Sequence, residues 1–326
     1  MITRRRIVLA LGAGALAPLA SFAQQSAKVA RIGFLGPGFA SATADRVEAL
    51  RAGLRDLGYV EGQNIVIEFR WAEVKYDRLP ELATELVRLK VDVIVTSTTP
   101  GTRAAKQATT TIPIVSAISG DPVAAGLVAS IARPGGNITG STFFDPELMA
   151  KRLELLKEVM PRTKQVAVLV NTGNSLFERI VHAMEITARS VKVGLQQFKV
   201  RRGEELDGAF AEMARRRMDA VVINEDPMFF DSNKVIANLA AKQRLLSAGG
   251  KEFAEAGGLL AYGVDVSGMY RRAANFVDKI LKGANPGDLP IERAAKFEMI
   301  INMKTAKALG IKVPASILAQ ATRVIE

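Results

Sequence analysis

A segment from Leu79 to Pro100 recurs 127 positions later, from Leu206 to Pro227, and this repeat restricts the fold more than any other feature. Each copy has the pattern of a helix, a tight turn and a buried strand that ends in a polar loop. The loops differ in chemistry, because residues 97–99 carry three hydroxyls whereas residues 224–226 carry an amide and two carboxylates. The repeat therefore predicts two similar lobes that present different polar groups.

The rest of the chain also alternates short apolar runs with helical patterns. A length of 326 residues exceeds what one hydrophobic core usually organises. Nearly continuous apolar strands separated by helices indicate parallel sheets covered on both faces. We therefore expect an α/β fold of two Rossmann-like parallel-sheet lobes. Further strand patterns at 257–263 and 297–302 predict a hinge with several crossings between them.

The lobes are expected to be discontinuous in sequence. We assign residues 28–142 and 247–283 to the first lobe, and residues 143–246 and 284–326 to the second.

The first residues have the pattern of an export signal. Arg4, Arg5 and Arg6 precede an apolar run, and small residues at 21 and 23 predict a signal peptide of residues 1–23, cleaved after Ala23. The run is shorter than the roughly 20 apolar residues that a spanning helix needs, although a retained anchor is the alternative. We expect a periplasmic protein, and both the Sec and the twin-arginine routes remain open.

The composition argues against catalysis and bound cofactors. The chain has no cysteine, and its single histidine, His182, lies in a helical pattern. A GxSxG nucleophile turn, a calcium loop and a GxGxxG dinucleotide motif do not occur in the sequence. We therefore predict no catalytic residue, cofactor or metal. The net charge of +11 is interspersed with acids along helices, which favours solvated surfaces over a nucleic-acid partner.

Several segments resemble one family over nearly the whole chain beyond the leader. They include IGFLGPG (32–38), DPVAAGLV (121–128), ARPGGNITG (132–140) and the run from Tyr262 to Glu292. The chain resembles the solute-binding proteins of ABC uptake systems, in the family that includes tryptophan- and tyrosine-binding members. The resemblance implies a type I periplasmic-binding fold that closes on a small ligand. It also implies as partners a membrane permease and its cytoplasmic ATPase, and we expect a monomer.

In doubly wound sheets, ligands bind where the carboxyl ends of strands meet helix N-termini. Five predicted loops occupy such positions, and a returning strand meets a helix near residue 263. The candidate ligand-binding residues are Pro37, Ser41, Ser97, Thr98, Thr99, Thr102, Asp121, Asn171, Asn174, Ser175, Glu225, Asp226, Tyr262 and Asp265.

The unequal loops suggest a zwitterionic ligand. Backbone amides at a helix start, assisted by Ser97, Thr99 and Thr102, suit a carboxylate. Glu225 or Asp226 across the cleft suits an ammonium group, and Tyr262 could stack on a ring. These features favour an amino acid or an aromatic compound like one. Ordinary helix capping is the alternative for each hydroxyl and for Asp121.

Two other functions fit parts of the sequence. A ligand-binding accessory of a sensor or chemoreceptor needs the same cleft and the same closure. An exported α/β enzyme needs a nucleophile with a base, which the sequence does not offer. Capture of a solute for uptake is the function we expect.

Overall fold

The computed structural model describes residues 29–143, 145–174 and 177–326, so the predicted signal peptide lies outside the described residues. Among the helices described, none is both long and apolar enough to cross a membrane. The strands are β1 (Ala30–Gly36), β2 (Ile65–Trp71), β3 (Val93–Thr96), β4 (Ile114–Ser119), β5 (Ile138–Thr142), β6 (Gln165–Asn171), β7 (Gly194–Val200), β8 (Ala220–Ile223), β9 (Leu246–Gly249), β10 (Leu260–Val264), β11 (Glu292–Arg293), β12 (Phe297–Asn302) and β13 (Arg323–Ile325). The helices are α1 (Ala44–Asp56), α2 (Leu79–Arg88), α3 (Thr98–Ala108), α4 (Asp145–Val159), α5 (Phe177–Ser190), α6 (Leu206–Arg215), α7 (Pro227–Asp231), α8 (Asn233–Lys242), α9 (Lys251–Glu255), α10 (Val266–Leu281), α11 (Met303–Leu309) and α12 (Ala315–Gln320).

The strands form two sheets, one in each lobe. The first has the order β11-β5-β4-β3-β1-β2 and the second the order β13-β12-β10-β9-β8-β6-β7. Among the strands that the structure describes, every pairing is parallel except that of β10 with β12. All residues of β3 and β8 are buried, because helices cover both faces of each sheet. The predicted α/β fold of two Rossmann-like lobes is confirmed.

The sequence repeat is also a structural repeat. Helix α6 and strand β8 begin and end 127 residues after α2 and β3, and the two sheets share the order of their first five strands. The turn between helix and strand is the same in both copies, because Lys90 and Arg217 both adopt positive φ, at 52° and 54°.

An aspartate has the same structural task in each copy. The carboxylate of Asp92 accepts a hydrogen bond from the backbone N–H of Arg31 at 2.8 Å, at the start of β1. The carboxylate of Asp219 accepts one from the backbone N–H of Gln165 at 2.9 Å, at the start of β6. Asp92 therefore links the start of β3 to the start of the neighbouring β1, and Asp219 links the start of β8 to the start of the neighbouring β6.

The chain passes between the sheets three times within the described residues. It does so between β5 and α4, between β10 and α10, and between β11 and β12. These passages form the predicted hinge with several crossings.

The prediction that residues 247–283 belong to the first lobe is wrong for their strands. Strands β9 and β10 are hydrogen-bonded in the second sheet, and only α10 packs on the first lobe, against α1 and β4. Strand β11, which we assigned to the second lobe, pairs with β5 of the first. Apolar patterns identify buried strands, but both sheets require the same pattern, so the sequence does not say which sheet a strand joins.

Candidate functional site

The carboxyl ends of the two sheets face each other across a cleft, which contains a small, partly open cavity. The first lobe contributes Pro37, Arg46 and Thr98 to the cavity wall, and the second contributes Phe230 and Asp231. The cavity has a volume of about 20 Å³, which is room for about one water molecule. The lobes are therefore closed on one another.

The start of α3 lies at this cavity and is strained. Thr98 adopts a positive φ of 63°, which is unusual for a β-branched residue and costs about 1–3 kcal/mol. Its hydroxyl is buried and has no hydrogen-bond partner. The preceding residue, Ser97, also lines the cavity, as does Tyr270. Strain together with an unsatisfied polar group is typical of a binding site.

A second buried oxygen without a partner lies in the matching loop of the other copy. Asn224, which corresponds to Ser97, has a side-chain oxygen that accepts no hydrogen bond. The two loops that the repeat singled out thus each carry a buried polar atom that the protein does not satisfy.

A buried arginine brings a positive charge to the cavity. The side chain of Arg46 is 10% exposed, donates a hydrogen bond to Glu252 of the second lobe at 3.2 Å and stacks over the ring of Phe230 at 4.1 Å. The sequence prediction missed Arg46. It lies one helical turn before the buried Leu50 on α1, and a charge on the apolar face of a helix was the signal that could have identified it.

Asp231, at the end of α7, supplies the opposite charge. Burial raises the pKa of this carboxyl from 3.8 to about 6, although the backbone N–H of Phe39 and the nearby Arg46 both favour the ionised form. The hydrogen bond from Phe39 crosses the cleft at 3.3 Å. Arg46 and Asp231 therefore place a guanidinium and a carboxyl in the wall of one cavity.

Asp226 is at the centre of a hydrogen-bond network. Its carboxylate, which is 0% exposed, accepts bonds from the Tyr76 hydroxyl at 2.9 Å, from the amides of Asn171 at 2.9 Å and Asn174 at 3.3 Å, and from the backbone N–H of Met228 at 3.0 Å. Burial raises its pKa, and the side-chain donors oppose that shift. The carboxylate that we expected to face a ligand ammonium is thus occupied by protein donors.

Glu225 forms a buried ion pair inside the second lobe. Its carboxylate pairs with Arg152, and both side chains are almost completely buried. Arg152 also donates hydrogen bonds to the carbonyl oxygens of Ile223 at 2.5 Å and Tyr262 at 2.8 Å. Glu225, which we predicted as the alternative partner of a ligand ammonium group, is therefore also paired with a protein side chain.

The other candidate hydroxyl residues of the first lobe do not line the cavity. Thr102 bonds to Ser116 at 2.9 Å and to the carbonyl oxygen of Thr98 at 2.8 Å, so it stabilises α3 internally. Thr99 is buried in the same helix, whereas Ser41 is exposed. The structure does not bring these residues together with Ser97 and Thr98 at the cavity.

The predicted acids outside the network accept hydrogen bonds from backbone N–H groups. Asp121 accepts a hydrogen bond from the backbone N–H of Ala124 at 2.9 Å and lies 4.0 Å from Arg179 of the second lobe. Asp265 accepts one from the backbone N–H of Gly268 at 2.9 Å, as the N-cap of α10. Helix capping, the alternative weighed for Asp121, is what the geometry shows for Asp265, whereas Asp121 stabilises a turn over residues 122–126 that is not a helix.

The predicted ligand-stacking residue Tyr262 does not line the cavity. Tyr262 stacks on Phe297 in the adjacent strand, with ring centroids 5.8 Å apart, and packs against the cores of both lobes. Ser175 lies outside the described residues.

Comparison with known proteins agrees with this architecture. Residues 40–325 match the family model described as ABC transporter substrate binding protein. A tyrosine-binding protein from Clostridioides difficile (strain R20291) is 29% identical over 260 residues, which are 79% of this chain and 74% of that protein.

Two solved structures differ in how well they superpose. The ABC domain in complex with L-Trp from Streptococcus pneumoniae has a TM-score of 0.83 at 25% identity, over 90% of this chain and 100% of its own. The ligand-free, open structure of a substrate-binding protein with adhesive properties from Clostridium difficile has a TM-score of 0.66 at 25% identity, over 91% and 99%. At similar identity and coverage, this chain superposes less well on the structure described as open. The chain belongs to the ABC transporter substrate binding protein family.

Proposed function

We propose that this substrate-binding protein captures a small zwitterion, an amino acid or a close analogue, in the cleft between its lobes. The observation that carries the proposal is the cavity wall, which contains both Arg46 and Asp231. A guanidinium binds a carboxylate through paired N–H groups, and a carboxylate accepts hydrogen bonds from an ammonium. Opposite charges at one cavity thus match the two ends of an amino acid.

The residues that bind the two charged ends of the ligand differ from those expected from the sequence. The ligand carboxylate binds Arg46 and the unsatisfied hydroxyl of Thr98, at the positive end of α3. The ligand ammonium binds Asp231, because Glu225 and Asp226 are occupied by protein partners.

Aromatic rings favour a ligand with an apolar or aromatic side chain. Phe230 and Tyr270 both line the cavity, and stacked or edge-to-face rings contribute about 0.5–1.5 kcal/mol beyond the area that they bury. The names of two relatives, one tyrosine-binding and one solved with L-Trp, support this class of ligand.

Binding then acts through closure of the lobes. The cavity in the closed state is too small for an amino acid, so the ligand enters an open form and becomes enclosed as the contacts around it rearrange. A ligand that contacts both lobes binds the closed form more tightly and shifts the population toward it. We propose that the exported protein delivers the ligand, chemically unchanged, to a membrane permease coupled to a cytoplasmic ATPase.

A panel of ligands tests the charge requirement. Melting temperatures are measured with L-tyrosine, L-tryptophan, tyramine, 3-(4-hydroxyphenyl)propionate and ribose. We expect only the two zwitterions to stabilise the protein, by roughly 2.7 kcal/mol at a concentration of about 100 times the dissociation constant. Stabilisation by ribose alone, or equally by tyramine, would contradict the proposal.

Substitution of Arg46 locates the carboxylate site. Arg46→Gln is expected to weaken binding of L-tyrosine by at least about 10-fold, since hydrogen bonds to charged groups are worth about 1.5–3 kcal/mol. Arg51→Gln is the matched control, because Arg51 lies on the same helix but pairs with Glu61 at the surface. Glu252→Gln separates ligand contact from closure, since it removes only the partner of Arg46 in the opposite lobe. Equal losses in Arg46→Gln and Glu252→Gln would count against a direct contact.

A further inference from the structure

A short segment of the first lobe, residues 73–76, reaches across the cleft and is bound by the second lobe. We call this segment the strap. It follows the end of β2 and is anchored by the Tyr76 hydroxyl, which donates a hydrogen bond to Asp226 at 2.9 Å. Asp226 is fully buried and caps α7, so the anchor point is a fixed part of the second lobe.

Val74 makes a second, apolar contact. It belongs to the first lobe in sequence, yet it packs against a hydrophobic core of the second lobe that includes Met228 and Phe229. Its backbone N–H donates to the carbonyl oxygen of Pro37 at 2.9 Å, which holds the strap on the loop that follows β1.

The backbone of the strap is strained. Glu73 and Val74 adopt positive φ values of 54° and 65° in succession, and neither is a glycine. A β-branched residue in this region is a rare outlier that persists only where its surroundings hold it. The contacts that hold this conformation include the second lobe, so the strained strap belongs to the closed form.

Tyr76 and Asp226 do not line the cavity that we propose for the ligand, although Asp226 caps the helix α7 whose other residues do. Neither residue contributes to the wall that contains Arg46 and Asp231. The bond between them therefore joins the lobes directly, whatever the cavity holds.

We infer that Tyr76 is a positioning residue that sets ligand affinity by stabilising the closed form, without contact to the ligand. The bond between Tyr76 and Asp226 does not belong to the cavity wall, so closure around a ligand keeps it, whereas opening of the lobes breaks it. It therefore stabilises the ligand-bound closed form relative to the open form, and its loss weakens the binding of every ligand by one factor. The inference rests on closure, which belongs to the proposed function, and is independent of the ligand's charge.

Removing one hydroxyl tests the inference. Tyr76→Phe keeps the ring but loses the bond to Asp226. Because the chain contains no cysteine, Glu81→Cys and Asp207→Cys, on exposed positions of the two lobes, allow specific spin labelling. We expect Tyr76→Phe to shift the label distances toward longer values without ligand. It should also weaken L-tyrosine and L-tryptophan binding by the same factor, up to roughly 10-fold.

Tyr59→Phe is the matched control. The Tyr59 hydroxyl also donates to an aspartate, Asp278, at 3.0 Å, but both residues belong to the first lobe. This variant should leave the label distances unchanged. Unchanged distances in Tyr76→Phe, or loss of affinity for one ligand only, would overturn the inference.

The distance measurement also separates the two proposals. Longer distances in Tyr76→Phe without binding of any amino acid would support the strap and refute the zwitterion proposal. Selective amino-acid binding with unchanged distances would do the reverse.

Discussion

Thr98 combines two costs at one position, a strained backbone and an unsatisfied buried hydroxyl. Residues of this kind favour function over stability. The effect of such a residue on the free energy of unfolding can be measured separately from its effect on binding, because glycine adopts a positive φ without a steric penalty.

Thr98→Gly should therefore stabilise the ligand-free protein and weaken binding. We expect a gain of about 1 kcal/mol in the free energy of unfolding, measured with urea. The affinity for L-tyrosine should fall, since the hydroxyl is lost. Lys90→Gly is a control for the backbone effect alone, as Lys90 has a positive φ at an exposed turn. A less stable Thr98→Gly protein would show that the hydroxyl supports the fold.

Asp231 makes the stability of the ligand-free protein and its affinity for the ligand depend on pH in opposite directions. Its pKa is raised to about 6 in the closed form, so the closed form takes up a proton as the pH falls through this value. The stability of the ligand-free protein should thus be greater near pH 5 than near pH 7, and this contribution is lost as the pH rises through about 6. The groups that act on this carboxyl are Arg46, Asp226 and the backbone N–H of Phe39.

A bound ammonium reverses the sign. It favours the ionised carboxylate, so binding releases a proton and affinity should rise between about pH 5 and pH 7. Asp231→Asn should abolish both trends, as followed by urea unfolding and by calorimetric titration with L-tyrosine. An affinity that falls with pH in the unchanged protein would argue against an ammonium at Asp231.

The sequence identified the two polar loops that follow β3 and β8, but not the partners of their side chains. Asp226 and Glu225 were identified as unusual polar residues after a buried strand, and they are indeed buried there. Their partners Tyr76 and Arg152 are distant in sequence. Only the folded chain shows that these carboxylates serve the protein itself.

At the scale of the elements, the repeat predicted helices, strands and even the turn between them. The bounds of α2 and β3 recur in α6 and β8, because helix periodicity and apolar strand runs are local properties. The sheet that a strand joins is not a local property. The strands β9 and β10 were therefore predicted but assigned to the wrong lobe, and the short strand β11 was not predicted.

The ion pair between Arg152 and Glu225 holds three elements of the second lobe together. Arg152 lies on α4 and bonds to the carbonyl oxygens at the end of β8 and within β10. Glu225→Ala should lower the free energy of unfolding by about 3–5 kcal/mol, because it leaves a buried charge without its partner.

Urea unfolding of paired variants checks this expectation. The double variant Arg152→Met with Glu225→Gln should be more stable than Glu225→Ala, since no charge remains buried. Glu204→Ala, at an exposed position of the same lobe, should change little. A Glu225→Ala protein as stable as that control would show that the pair is not structural.

At the scale of the molecule, the two lobes and their cleft followed from the repeat, whereas the contacts that close the cleft did not. Phe39 and Tyr76 of the first lobe bond to Asp231 and Asp226 of the second. Such contacts exist only in one arrangement of two separately folded bodies. No periodicity within either lobe encodes them, and so the direct closure of the lobes is what the structure adds.

The strap has a consequence for how such a protein can adapt. If the choice of ligand depends on the cavity and the strength of capture depends on a contact outside it, each can change by mutation without the other. A lineage that moves between nutrient-rich and nutrient-poor surroundings could then retune the concentration at which uptake begins through residues 73–76, while it continues to import the same compound.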